Sequence, residues 1–159
     1  MPFSLFDKRS NYLMSGLSRR IRMAGALLAI GLPLTGGCGE DRGLVPVTGK
    51  VTLNGKRMPA AGDLTFVPVQ VVEGFPMRPA KAEFDADGEY SAQSYKPGDG
   101  LYPGTYRVLV SCWEVPPTPD GPPAKSFIPN RYQSRADSNL EVKVDAAAER
   151  VEFPIELEE

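Results

Sequence analysis

The sequence predicts an all-β domain, a seven-stranded antiparallel β-sandwich, behind a cleaved N-terminal signal peptide. Three observations predict it. Apolar and polar residues alternate with period two in one stretch after another between Val47 and Leu157, the spacing that sends successive strand side chains to opposite faces. Clusters of Gly, Pro, Asn and Asp separate these stretches and read as turns. No segment after the leader carries the apolar period of an amphipathic helix. Several short strands with frequent turns point to two packed sheets.

The leader comprises residues 1–37. Lys8, Arg9, Arg19, Arg20 and Arg22 stand there against Asp7 alone. An apolar run follows, Ala24-Gly25-Ala26-Leu27-Leu28-Ala29-Ile30-Gly31-Leu32-Pro33-Leu34. It is too short for a spanning helix, which needs about 20 residues, and it suits the core of a signal peptide. Thr35-Gly36-Gly37 then leads to Cys38. This resembles the lipobox of bacterial lipoproteins, in which small residues precede a cysteine that takes diacylglycerol on its thiol before cleavage in front of it. The position three before the cysteine, usually Leu, is Thr35, and Leu34 lies one place early. The resemblance makes Cys38 the lipidation site and residues 38–46 an anchor and tether. Residue 39 is Gly and not Asp. By the enterobacterial sorting rule this favours the outer membrane, with the domain facing the periplasm or the exterior. Met14 would give a more ordinary leader length, and Ser18-Arg19-Arg20-Ile21 hints at twin-arginine export, although Arg22 falls where an apolar residue is usual.

The domain proper is residues 47–159. In its first strand Val47, Gly49, Val51 and Leu53 share a face, with Thr48, Lys50 and Thr52 opposite. Asn54-Gly55 ends it with a strong hairpin signal, because both residues tolerate positive φ. Leu64 to Val67 is a short apolar run that Pro68 is expected to stop. Ala80, Ala82 and Phe84 alternate with Lys81, Glu83 and Asp85. Asp85-Ala86-Asp87-Gly88 forms the next turn, and Tyr90 and Ala92 continue on the return strand. Thr105 to Trp113 is the most apolar run and is placed centrally, with Tyr106, Val108, Val110 and Cys112 on one face. Leu140, Val142 and Val144 alternate with Glu141 and Lys143. Val151, Phe153, Ile155 and Leu157 do so with Glu152, Glu156 and Glu158. Pro154 lacks an N–H and marks this last strand as an edge. Between these strands, residues 114–129 hold Pro116, Pro117, Pro119, Pro122, Pro123 and Pro129 and read as an extended, stiff surface connection, with a partner-binding loop as the alternative.

Charge and composition narrow the function. From Cys38 onward there are thirteen Lys and Arg against nineteen Asp and Glu. That balance argues against a nucleic-acid partner, which needs clustered positive charge. There is no histidine and only two cysteines, so neither a histidine-assisted nucleophile nor a disulfide framework is expected. Cys112, mid-strand, reads as a buried inert thiol. Asp85, Asp87 and Asp99 supply oxygens of the kind Ca²⁺ takes, but without calcium-loop spacing they read as turn formers, and no metal or other cofactor is expected. Tyr95, Tyr102, Trp113 and Tyr132 are candidates for a sugar-binding face and, as the plainer reading, for packing.

Several of these segments together resemble carboxypeptidase-regulatory-like domains. Val47-Thr48-Gly49-Lys50-Val51-Thr52-Leu53-Asn54-Gly55-Lys56, followed by Leu64-Thr65-Phe66-Val67-Pro68, resembles their opening. Asp85-Ala86-Asp87-Gly88-Glu89-Tyr90 resembles their hairpin, and Pro103-Gly104-Thr105-Tyr106-Arg107-Val108 their strand entry. With Lys96 to Gly100 and Ile128 to Tyr132 added, the order is similar to that in small lipoproteins of planctomycete-type bacteria, over nearly all of residues 38–157. The resemblance implies a transthyretin-like sandwich. Its motifs are turns and strands, which specify fold far better than activity. Transthyretin-like folds include 5-hydroxyisourate hydrolase, whose histidines and Tyr-Arg-Gly-Ser ending are absent here, since the chain ends Glu156-Leu157-Glu158-Glu159. The expectation is a lipid-anchored envelope protein with a non-catalytic interaction domain, whose partners are the membrane and an envelope protein or glycan. The alternative is an envelope lipoprotein that binds a small ligand or glycan.

Overall fold

The computed structural model describes residues 42–159. The expected leader, the lipidation site Cys38 and the tether as far as residue 41 lie outside them. The described residues form an all-β body with no α-helix. In chain order the strands are β1 (Val47–Leu53), β2 (Gly62–Val71), β3 (Ala80–Phe84), β4 (Glu89–Ser91), β5 (Gly104–Ser111), β6 (Trp113–Val115), β7 (Lys125–Ser126), β8 (Glu141–Val144), β9 (Val151–Glu152) and β10 (Ile155–Leu157). A short 3-10 turn spans Asn130–Gln133.

Eight strands make one sheet in the order β10-β1-β4-β3-β2-β5-β8, with β9 also on β1. The sheet curls until it is nearly closed, and its inward residues share one core. That core includes Val47, Val51, Leu64, Phe66, Tyr106, Val108, Val110, Val142, Ile155 and Leu157. These are the residues of the alternating faces read from the sequence. Each large apolar side chain taken fully from water contributes about 1.5–3 kcal/mol, so this shared interior is the main source of stability. Cys112 is buried in it, with Sγ 3.5 Å from the Ala60 carbonyl oxygen.

Four expectations change in detail. First, the sheet is mixed. β1 pairs antiparallel with β4 but parallel with β9 and β10. The physical reason is that β4 occupies one side of β1, and the chain returning from β8 reaches the other side running in the same direction. Second, Pro68 does not stop its strand. β2 runs on to Val71 against β5, with an irregularity between Pro68 and Gln70. β3 begins opposite Phe66, so Pro68 lies where β2 has only one neighbour, a position that tolerates a missing N–H. Third, Asn54 and Gly55 take positive φ and close a tight turn, with Lys56 N–H donating to the Leu53 carbonyl at 2.9 Å. The chain then leaves β1, both of whose edges are taken, so this turn joins no long hairpin. Fourth, the proline-rich stretch is pinned at its base, because β6 and β7 form a separate two-stranded ribbon on either side of it. Among the described residues the ten strands exceed the seven expected, because the last predicted strand divides into β9 and β10 and the proline stretch adds a ribbon.

Two close approaches build the β1 region. Gly88 has φ +82°, and a Cβ there would sit 2.0 Å from the Val51 carbonyl oxygen. Val51 N–H donates to the Gly88 carbonyl at 2.8 Å, which ties the β3–β4 turn to β1. Gly49 faces the break between β9 and β10, where the Phe153 carbonyl turns inward and accepts the Tyr90 hydroxyl at 2.5 Å. Pro154 is exposed beside this break, and β10 is an edge of the sheet, in line with the edge role read from that proline.

Candidate functional site

The polar groups singled out in the sequence are mostly internal braces. The Asp85 carboxylate accepts the N–H groups of Asp87 at 2.8 Å and Gly88 at 3.1 Å, closing its own turn. Asp87 forms an ion pair with Arg57. Asp99 accepts three N–H groups, from Ser94 at 2.7 Å, Tyr95 at 3.0 Å and Lys96 at 2.9 Å, and so holds the loop that carries Tyr95. Asp85 and Asp99 thus act as the turn formers that the spacing indicated, while the Asp87 carboxylate pairs with Arg57 across the surface. Among the described residues no group of three or more His, Cys, Asp or Glu side chains is placed to hold a metal ion. Burial pushes the Cys112 thiol up, with its hydrogen bond to Ala60 acting weakly the other way, which keeps it a poor nucleophile at neutral pH.

The four aromatic candidates separate. Tyr132 is buried and ties down the C-terminal end, its hydroxyl accepting the Glu158 N–H at 3.0 Å. Trp113 belongs to the β6–β7 ribbon. Tyr95 and Tyr102 come together, hydroxyl to hydroxyl at 3.1 Å with the rings edge-to-face. Phe75 packs on Tyr102 with ring centroids 5.3 Å apart. The guanidinium groups of Arg42 and Arg78 lie 4.5 Å and 4.2 Å from the centre of the Tyr95 ring, within the range of a favourable cation–π contact. Arg78 is fixed further by its Nε–H, which donates to the Ser94 carbonyl at 3.0 Å. Below them Tyr106 donates to the Tyr102 carbonyl at 3.0 Å, linking the cluster to the central strand. The hydrogen bond with Tyr95 and burial raise the Tyr102 phenol above its ordinary value, against the opposing pull of Arg42 and Arg78.

Around this cluster lie the exposed apolar side chains. Among the described residues the large hydrophobics that face solvent are Val69, Val72, Met77 and Tyr95, and Met77 is the most open at 59 %. Val72 and Met77 lie on the chain between the end of β2 and the start of β3, Val69 lies near the end of β2, and Tyr95 sits under the two arginines. Val72 N–H donates to the Pro103 carbonyl at 3.0 Å, so this segment is bound to the Tyr102–Gly104 end of the molecule. Arg42, Phe75 and Arg78 carried no assigned role in the sequence. The signal for Phe75 was the apolar content of the loop after β2, Val72, Phe75 and Met77, which a purely solvated loop would not need; no local signal marks Arg42 or Arg78.

Shallow depressions also mark the surface of the described residues. One of about 690 Å³ is lined by Glu83, Glu89, Tyr90, Ser91, Gln93, Pro97 and Gly98. Another of about 380 Å³ runs beside the edge of β8 and is bordered by Val72 and Gly104, so it adjoins the exposed apolar segment. Compared with protein-family models, curated proteins and solved structures, the chain matches none.

Proposed function

We propose that this chain is a lipid-anchored cell-envelope protein whose β domain is a non-catalytic interaction module. The anchor reading rests on the sequence around Cys38, where a basic leader, a short apolar run and Thr35-Gly36-Gly37 precede the thiol. The observation that carries the interaction reading is the gathering of Val72, Met77 and Tyr95 at one end of the domain, beside Arg42 and Arg78. Exposed apolar groups collected in one place with cations are the composition of a contact surface. The non-catalytic reading is supported by the absence of histidine, by the burial of Cys112 and by the engagement of Asp85, Asp87 and Asp99 in turns or ion pairing.

The finer fold reading belongs to the same proposal, a two-sheet, transthyretin-like sandwich of carboxypeptidase-regulatory-like type. Its support is the narrow join between β3 and β4, which consists of the pair Phe84 with Tyr90 and the bridge Lys81 with Gln93. Such a hinge lets β10-β1-β4 and β3-β2-β5-β8 face each other across the common core. A binding site for a small ligand or glycan is the second reading. It draws on the depression lined by Glu83, Glu89, Ser91 and Gln93, whose side chains offer both donors and acceptors.

The experiment that tests the main reading is intact mass of the membrane-extracted protein beside a Cys38→Ala variant. The expected result is a mature chain starting at Cys38 with added diacylglycerol, and loss of both the modification and membrane retention in the variant. An unmodified chain in the soluble fraction would overturn it.

A further inference from the structure

The position of the aromatic–arginine cluster along the chain gives it an orientation. Arg42 stacks on Tyr95, and it lies four positions along the chain from Cys38. Fully extended, that segment reaches at most about 14 Å, about the radius of gyration of a domain this size, roughly 13 Å. A domain held at Cys38 by so short a tether cannot turn its far end to the bilayer. It presents the end that holds Arg42.

The chemistry of that end suits a lipid headgroup layer. Val72 and Met77 are exposed apolar side chains, and Tyr95 is an amphipathic ring that is 43 % exposed. Arg42, Arg78 and Lys96 are exposed cations whose stems can lie along apolar surface while their charged groups meet phosphate. Glu73, on the same segment, is also exposed, so the surface is amphipathic rather than simply basic. Resting on the proposed anchor at Cys38, we propose that this cluster is a membrane-docking surface. It would seat on the phospholipid headgroups of the bilayer that holds the anchor, with Arg42 and Arg78 at the phosphates and Val72, Met77 and Tyr95 at the headgroup boundary.

The proposal has a consequence at the other end. β5 starts at Gly104, next to the cluster, and runs to Ser111 just before Trp113. Eight strand residues cover roughly 25 Å, so Trp113 and the proline-rich ribbon point away from the membrane surface. Trp113 is the chain's only tryptophan and serves as an internal reference.

The test uses the full-length lipidated protein in vesicles of phosphatidylethanolamine and phosphatidylglycerol that contain a lipid quencher placed near the headgroup. Native Trp113 is compared with a tryptophan placed in the cluster by Tyr95→Trp, or by Met77→Trp where loss of the Tyr95 stack disturbs folding, each combined with Trp113→Phe. The cluster reporter is expected to be quenched several-fold more strongly than Trp113. Equal, weak quenching of both positions in protein that still sediments with the vesicles would overturn the docking surface and leave the anchor standing. Protein of unmodified mass that stays in the supernatant would overturn both together.

Discussion

The contact of Gly49 with the Phe153 carbonyl yields a prediction with a magnitude. An added Cβ at Gly49 would lie 2.1 Å from the Phe153 oxygen, 2.7 Å from its carbon and 2.9 Å from the Tyr90 hydroxyl. Ordinary van der Waals contact begins near 3.4 Å, so in Gly49→Ala the carbonyl must retreat by about 1.3 Å. A shift of that size breaks the 2.5 Å hydrogen bond from Tyr90 and pulls on the 2.8 Å bond from Phe153 N–H to the Thr48 carbonyl. Tyr90→Phe removes the first bond alone and leaves a partly buried carbonyl without that donor, which costs about 2 kcal/mol. For a domain of this size that lowers Tm by roughly 8 °C. Gly49→Ala adds a packing strain of about 1–3 kcal/mol to the same loss, for a total of about 3–5 kcal/mol. Both changes act on one oxygen, so their effects are not additive. In the double variant Tyr90→Phe should add well under 1 kcal/mol. The assay is thermal and urea unfolding of the Cys38→Ala protein, followed by circular dichroism. Additive losses, or a Tyr90→Phe variant that melts with the parent, would refute the reasoning.

Two further predictions concern the same core and its edges. Burial raises the phenols of Tyr90 and Tyr106, the latter to about 12. Their contribution is therefore complete below the unfolded value near 10 and is lost as pH rises from there toward 12, because the unfolded chain ionises first. Stability should fall above about pH 10 by up to about 2.7 kcal/mol per pH unit for the pair. Urea midpoints measured across that range should show it, with the slope made shallower by Tyr106→Phe, and a flat profile would contradict it. As for the sandwich reading, β8 and β10 are expected to remain unpaired edges. NMR detection of a hydrogen-bonded ladder between them would make the sheet a closed barrel and end that reading.

Much of the domain was legible in the sequence because the physics of a half-buried strand is local. The alternation of Tyr106, Val108 and Val110 with Arg107 and Leu109, or of Ala80, Ala82 and Phe84 with Lys81 and Glu83, states which face is inward, and those faces are the ones buried. The Asp85–Gly88 turn was readable for the same reason, since its hydrogen bonds link residues two and three apart. Asp99 likewise acts on its neighbours, from Ser94 to Lys96.

Strand partnership was not legible, because it depends on residues far apart in the chain. That β9 and β10 lie parallel to β1 is set by which edge of β1 remained open, about a hundred positions away. The persistence of β2 past Pro68 follows from the late start of β3, which no window around Pro68 contains. The aromatic–arginine cluster is of the same kind. Arg42, Phe75, Arg78, Tyr95 and Tyr102 come from separate segments with no shared motif. By itself the sequence determined the β class, the inward faces and the turns, because alternation and turn chemistry act over a few residues. Only the tertiary structure decided the pairing order, the carbonyl seated over Gly49 and the exposed cluster, because each requires distant segments to be brought together.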